Sequence, residues 1–117
     1  MSVVDCDTES PSCGHVVGWA EMRLRGTSFI TSAGTRSSAL CHEGHAHHGL
    51  ERRYLSVPGL RSSRTYVLDA KPDPRQPQIV RTIEREELAA KAGYSRPHTV
   101  HCGPGGIFMS NLGAARG

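Results

Sequence analysis

One phrase occurs twice in this chain, and it narrows the fold more than any single motif does. Ser2-Val3-Val4-Asp5-Cys6, a turn-forming run from Asp7 to Gly14, and His15-Val16-Val17-Gly18-Trp19-Ala20 make two short apolar segments around a loop. Tyr66-Val67-Leu68-Asp69, the run Lys71-Pro72-Asp73-Pro74-Arg75-Gln76-Pro77, and Gln78-Ile79-Val80-Arg81-Thr82-Ile83 repeat it. Val3-Val4-Asp5 matches Val67-Leu68-Asp69, and Val16-Val17 matches Ile79-Val80. Short β-branched runs bounded by Gly, Pro, Asp and Ser are strands, so one β-hairpin unit is expected twice. A second echo joins Tyr54-Leu55-Ser56-Val57-Pro58-Gly59-Leu60 to Ile107-Phe108-Met109-Ser110-Asn111-Leu112-Gly113, each a short apolar strand ending in a small-residue turn. Repeated four-strand units are the signature of a β-propeller, whose blades recur at about 40–50 residues. A closed ring needs at least about four blades. The expectation is therefore an all-β chain with one short helix, a partial β-propeller of about two blades, spanning residues 1–117 and opening and closing inside blades.

The helix is Glu84-Arg85-Glu86-Glu87-Leu88-Ala89-Ala90-Lys91-Ala92-Gly93: strong helix formers, acids in the first turn, Lys near the end and a closing Gly. Its charges read as a solvated face. Composition agrees with strands and tight turns, at 37% hydrophobic and 5% aromatic residues with 13 Gly and 7 Pro. A net charge of +3 spread over scattered arginines, with no aromatic-basic platform, argues against nucleic acid as a partner. No apolar run nears the roughly 20 residues a membrane helix needs, and the N-terminus shows no signal-peptide pattern. No membrane partner is expected, and the cytoplasm is the expected location. An export signal lost from the N-terminus would make it the periplasm. Cys6, Cys13, Cys41 and Cys102 are widely spaced and read as free thiols or ligands rather than disulfides.

Two stretches carry metal-binding side chains. His98-Thr99-Val100-His101-Cys102 precedes the turn Gly103-Pro104-Gly105-Gly106 and the apolar Ile107-Phe108-Met109, as a short strand entering a hairpin does. Residues three apart in an ideal strand fall on opposite faces, so His98 and His101 cannot both point inward unless a bulge or a strand end re-aims one. Neutral imidazole is the commonest metal ligand and a thiol adds a soft donor; ordinary polar residues at a strand end are the alternative. Cys41-His42-Glu43-Gly44-His45-Ala46-His47-His48 could offer zinc or copper ligands, His42, His45 and Cys41 among them. Its spacing matches no standard zinc module, and a flexible polar loop is the alternative.

Longer strings resemble the selenium-binding protein family, which includes methanethiol oxidase. They are Ser37-Ser38-Ala39-Leu40-Cys41-His42-Glu43-Gly44-His45, Arg53-Tyr54-Leu55, Val57-Pro58-Gly59-Leu60-Arg61-Ser62-Ser63 and Tyr66-Val67-Leu68-Asp69. They continue as Lys71-Pro72-Asp73-Pro74-Arg75, Lys91-Ala92-Gly93-Tyr94 and Pro97-His98-Thr99-Val100-His101-Cys102-Gly103-Pro104. Weaker agreement covers Val3 to Glu21. The resemblance implies a β-propeller from a protein several times longer, able to bind selenium. It implies a copper-dependent oxidase that turns methanethiol, O2 and water into formaldehyde, hydrogen sulfide and hydrogen peroxide. His98 and His101 fall on the family's His-x-x-His-Cys string, so a copper-ligand role carries over to them. Selenium would sit on a thiolate, with Cys13, Cys41 and Cys102 equally open and no site assigned. A partner chain supplying the absent blades is one way to complete the ring.

One segment departs from the family. Where relatives carry Asp-Glu-Leu-His-His-Phe-Gly-Trp-Asn-Ala, residues 27–36 read Thr27-Ser28-Phe29-Ile30-Thr31-Ser32-Ala33-Gly34-Thr35-Arg36. The codons GAC GAG CTT CAT CAC TTC GGC TGG AAC GCG, read one base later and followed by T, translate to this segment. A local frame shift, corrected before Ser37, explains the substitution and removes the paired histidines of the family string. Three readings follow: a segment of a methanethiol-oxidase-type enzyme with impaired activity, a non-catalytic selenium- or metal-binding module, or a gene remnant with open, aggregation-prone strand edges. Sequencing the gene is expected to show that one compensating insertion and deletion pair restores the family string; no such pair would overturn the frame shift.

Overall fold

The computed structural model describes residues 1–22, 33–34, 53–103 and 106–115. The order is β1 (Ser2–Val4), β2 (Val16–Trp19), β3 (Ala33–Gly34), β4 (Tyr54–Gly59), β5 (Arg64–Asp69), β6 (Gln78–Ile83), α1 (Arg85–Ala92), β7 (Tyr94–Gly103) and β8 (Gly106–Ala114). The strands form one four-stranded antiparallel sheet, β3-β4-β5-β6, and two two-stranded ones, β1-β2 and β7-β8. The architecture is all-β with one short helix, a partial β-propeller with one complete blade between two halves.

The middle blade is packed on both faces, which explains why β5 is buried along most of its length. Val57 pairs with Tyr66 and Leu55 with Leu68. Tyr66 and Leu68 are essentially inaccessible, and this row packs with Ala20, Met1, Met22 and Ile79 against the β1-β2 hairpin. On the opposite face, the Thr65 hydroxyl donates to Met109 Sδ of β8 at 3.3 Å, and Arg96 N–H of β7 donates to Ser63 Oγ at 3.1 Å. Half-blade, blade and half-blade stack in chain order. A very close backbone approach lies at Gly18 of β2, where a Cβ would overlap the carbonyl of Arg75 in the β5-β6 loop.

The repeated phrase is a repeat of structure down to its irregularities. Both hairpins lose one residue of register at matching places, between Val3 and Val4 and between Val67 and Leu68. The extra residues are Val17 and Val80, which occupy the same place in the phrase. Asp5 and Asp69 both end the first strand, and each accepts the backbone N–H two residues on, from Asp7 at 2.9 Å and Lys71 at 3.0 Å. Their other oxygens differ. Asp5 Oδ2 takes the Ser12 and Ser10 hydroxyls, whereas Asp69 Oδ2 takes Arg53 Nε and a terminal nitrogen at 3.0 and 2.7 Å. An ionised carboxylate is the better acceptor for such donors. Ser12, Ser10 and the Asp7 amide accordingly hold the Asp5 carboxyl down to about 2 from 3.8. Arg53 does the same to Asp69, opposed by burial and helped by the Lys71 amide.

The second echo aligns by face. Met109 faces the middle blade as Leu55 faces β1-β2, so Phe108-Met109-Ser110-Asn111-Leu112-Gly113 corresponds to Tyr54-Leu55-Ser56-Val57-Pro58-Gly59. The expected small-residue turns lie further on. Pro58-Gly59 stays in β4, and the hairpin turns through Leu60–Ser63, where Ser63 takes a left-handed φ of 54°. Gly113 stays in β8, opposite Ser95.

The helix forms where expected. Gly93 closes it in the left-handed conformation at φ 73°, its N–H donating to the Ala89 carbonyl. Buried Leu88 is its apolar contact. Glu87 ties Lys91 to Arg81 of β6, and Glu84 ties to Arg64 of β5; such exposed pairs contribute little each.

Two outcomes test this packing. Gly18→Ala should cost about 1–3 kcal/mol, because backbone rather than a flexible side chain must move. An unchanged thermal midpoint would contradict the close approach. Because the folded Asp5 has the lower pKa, its stabilisation is fully present above the ordinary value of 3.8 and is lost as pH falls from there through about 2. A carboxyl titration followed by NMR should put the Asp5 midpoint near 2; an ordinary midpoint would contradict the serine cluster.

Candidate metal centre

The two histidines expected to carry chemistry lie in β7, and a proline decides how they are presented. Pro97 is fully buried and has no N–H to give to the ladder. Arg96 before it is left-handed at φ 57°. The ladder pairs Pro97 with Asn111 and Val100 with Met109, so His98 and Thr99 together face the single residue Ser110. That is a β-bulge. Thr99 N–H donates to Ser110 Oγ at 3.2 Å, and His98 Nδ1 lies 2.7 Å from Thr99 Oγ1.

The bulge resets the parity of the strand. Pro97 and Val100 are both buried although three apart, so His98, Thr99 and His101 share the opposite face, His98 half-buried and His101 exposed. The opposite-face rule for ideal strands fails here for a stated reason, and the re-aiming bulge is present. When Nδ1 of His98 carries the proton and donates to Thr99, its Nε2 lone pair is free for a ligand, the usual way an outer partner orients a metal-binding imidazole. Sequence reasoning missed Thr99 and Ser110 in this role. The signal was available in Pro97, which cannot donate to a ladder and so marks a break in it just before the first histidine.

The other candidates are not brought to this pair by the described residues. Cys102 follows in β7, paired with Ile107. Cys41, His42 and His45 lie outside the described residues, as does most of the divergent segment 27–36. Within that segment Ala33–Gly34 forms β3 and pairs with Ser56 and Leu55. Among the described residues no group of three or more His, Cys, Asp or Glu side chains is placed to hold a metal ion. Cys6 and Cys13 are free and exposed, at either end of the loop in the first hairpin. No helix among the described residues is long and apolar enough to cross a membrane.

Comparison with known proteins places this strand in context. The family model of the 56 kDa selenium-binding protein (SBP56) matches residues 1–117. The chain belongs to the selenium-binding protein family. It is 37% identical to selenium-binding protein 2 of Arabidopsis thaliana, over 100% of this chain and 23% of that one. It is 45% identical to the methanethiol oxidase of Danio rerio, over 100% of this chain and 25% of that one. Among solved structures it resembles a hypothetical selenium-binding protein from Sulfolobus tokodaii at 44% identity and a TM-score of 0.82, covering 99% of this chain and 25% of that one. The chain thus spans about a quarter of the length of these selenium-binding relatives.

Proposed function

We propose that this chain is a segment of a copper-dependent methanethiol oxidase, contributing the imidazoles of His98 and His101 to a metal site that needs further donors. The observation behind this reading is the bulge that turns both histidines to one face of β7. The methanethiol oxidase and selenium-binding names of its relatives support it. Copper accepts imidazole and thiolate donors, so the pair suits part of such a site. The described residues do not complete one, and no oxidation step is assigned to this chain's own groups. When bound, copper would supply the redox chemistry by which methanethiol, O2 and water give formaldehyde, hydrogen sulfide and hydrogen peroxide. The frame-shift reading of residues 27–36 fits the same account, since Ile30 and Thr31, at the places of the family string's paired histidines, offer no imidazole.

Non-catalytic selenium binding is the second reading, favoured by the exposed free thiols of Cys6 and Cys13, because selenite reacts with thiols. One set of measurements addresses both. Copper titration by calorimetry should show binding that His98→Ala or His101→Ala weakens by about tenfold or more, an effect of the size that loss of metal-site partners has elsewhere. Methanethiol consumption should stay at the level of copper alone. Copper binding indifferent to both substitutions, or turnover by this chain on its own, would overturn the first reading. Selenium retained after selenite treatment without turnover would favour the second.

A further inference from the structure

The loop that closes the first hairpin carries a cysteine on each side of its neck. Beyond the ladder of β1 and β2, Asp5 N–H donates to the His15 carbonyl at 3.0 Å, and Gly14 N–H donates to the Asp5 carbonyl at 2.8 Å. One residue thus faces two, with Gly14 left-handed at φ 81°, the glycine form of a β-bulge. His15 N–H donates to the Ser12 carbonyl at 2.9 Å, so Cys13 and Gly14 are the central residues of a tight turn. The bond from Gly14 to Asp5 sets the peptide between Asp5 and Cys6 against the peptide between Cys13 and Gly14. Cys6 and Cys13 are therefore the facing pair one step past the last rung, in the position whose members share no hydrogen bond. Such pairs are the close ones of an antiparallel ladder, with Cα atoms about 4.5 Å apart when regular. A disulfide takes Cα separations of about 4.4–6.8 Å.

We propose that Cys6 and Cys13 form a reversible dithiol–disulfide pair that staples the first hairpin when oxidised. Both thiols are free and exposed in this structure, so a small disulfide can reach either. Cys6 Sγ lies 3.7 Å from the Val4 carbonyl, a weak contact that rotation about χ1 releases. The loop between the cysteines is folded from within: the Ser10 and Ser12 hydroxyls and the Asp7 amide hold the Asp5 carboxylate, and Cys13 N–H donates to the Ser10 carbonyl at 3.1 Å. Both cysteines are thus kept at the neck before any bond forms, which raises the effective concentration of one thiol at the other. The repeat supplies a contrast. Cys6 and Cys13 match Ala70 and Gln76 of the second hairpin, where Asp69 is clamped from outside the loop by Arg53. The first hairpin carries thiols at the end where the second carries that clamp.

The oxidant is a low-molecular-weight disulfide of the glutathione kind. One cysteine thiolate attacks it, forming a mixed disulfide and releasing one small thiolate, which takes up a proton. The second cysteine thiolate attacks the protein-side sulfur, closing the bridge and releasing the second small thiol. Two protein thiols lose two electrons and two protons, and one small disulfide becomes two small thiols. In reducing compartments disulfides are mostly of this transient, sensing kind. The bridged hairpin is the one that packs through Ala20, Met1 and Met22 against Tyr66 and Leu68, so oxidation restrains the cover over one face of β5. Neither copper nor selenium takes part.

The test equilibrates the chain in glutathione redox buffers, quenches with acid, alkylates and cuts after Glu9, which lies between the two cysteines. The Cys6 and Cys13 fragments then stay joined only where they are bridged. The ratio of bridged to reduced pair should be at least about tenfold higher in the folded chain than in the same chain unfolded in guanidinium. The bridged chain should melt about 5 °C or more above the reduced one. Gly14→Val, whose Cβ meets nothing within 4 Å but whose φ is unfavourable, should bring the folded ratio towards the unfolded value. Bridging no better folded than unfolded overturns the proposal, as does glutathione retained on either cysteine, or Cys6 or Cys13 joined instead to Cys41 or Cys102. A bridged chain that melts no higher than the reduced one overturns the staple.

Discussion

Strand β5 is the element on which the rest of the molecule leans. Both its edges are hydrogen-bonded, to β4 and β6. Both its faces are covered, by the first hairpin on one side and by β7-β8 on the other. Its side chains Tyr66 and Leu68 lose nearly all contact with water, and apolar burial stabilises at roughly 25 cal/mol per Å². The polar groups at its end, Asp69 with Arg53, close it with a charge-assisted pair rather than with apolar packing.

That arrangement decides what the histidine strand can do. Among the described residues β7 is held by its ladder to β8 and by Pro97 and Val100, buried towards the middle blade. The other side carries His98, His101, Phe108 and Leu112, and is largely open. A bulge beside a buried proline turns both histidines to one face of β7. The same rigid backbone cannot supply the remaining donors, so chemistry at this face depends on what else is brought to it.

Much of this was legible in the sequence. Val-Val-Asp and Val-Leu-Asp located two hairpins because a short aspartate after a β-branched pair both ends a strand and folds the next turn through its own carboxylate. The helix was legible from its acids, its lysine and Gly93. Other features were not. Strand β7 begins at Tyr94, earlier than a reading from His98 suggests, because a proline in a strand normally argues against one, and here the ladder bends around it. The stretch Tyr54–Leu60 reads as a strand ending in a small-residue turn, whereas Pro58-Gly59 completes the strand and Leu60–Ser63 make the turn. Strand β3 inside the divergent segment had no signal. Backbone pairing needs no particular side chain, so Ala33–Gly34 can hold the edge of the sheet. At the candidate site the histidines could be read, but their common face could not, since it arises from one extra residue in a ladder.

Among the described residues the account makes β5 the protected centre and β1 and β8 edge strands. Residue-resolved amide hydrogen exchange tests this most directly. The account predicts the slowest exchange in β5 and in the β4 and β6 amides bonded to it, with β1 and the outer edge of β8 exchanging much faster. Protection in β1 or along the outer edge of β8 equal to that of β5 would contradict it.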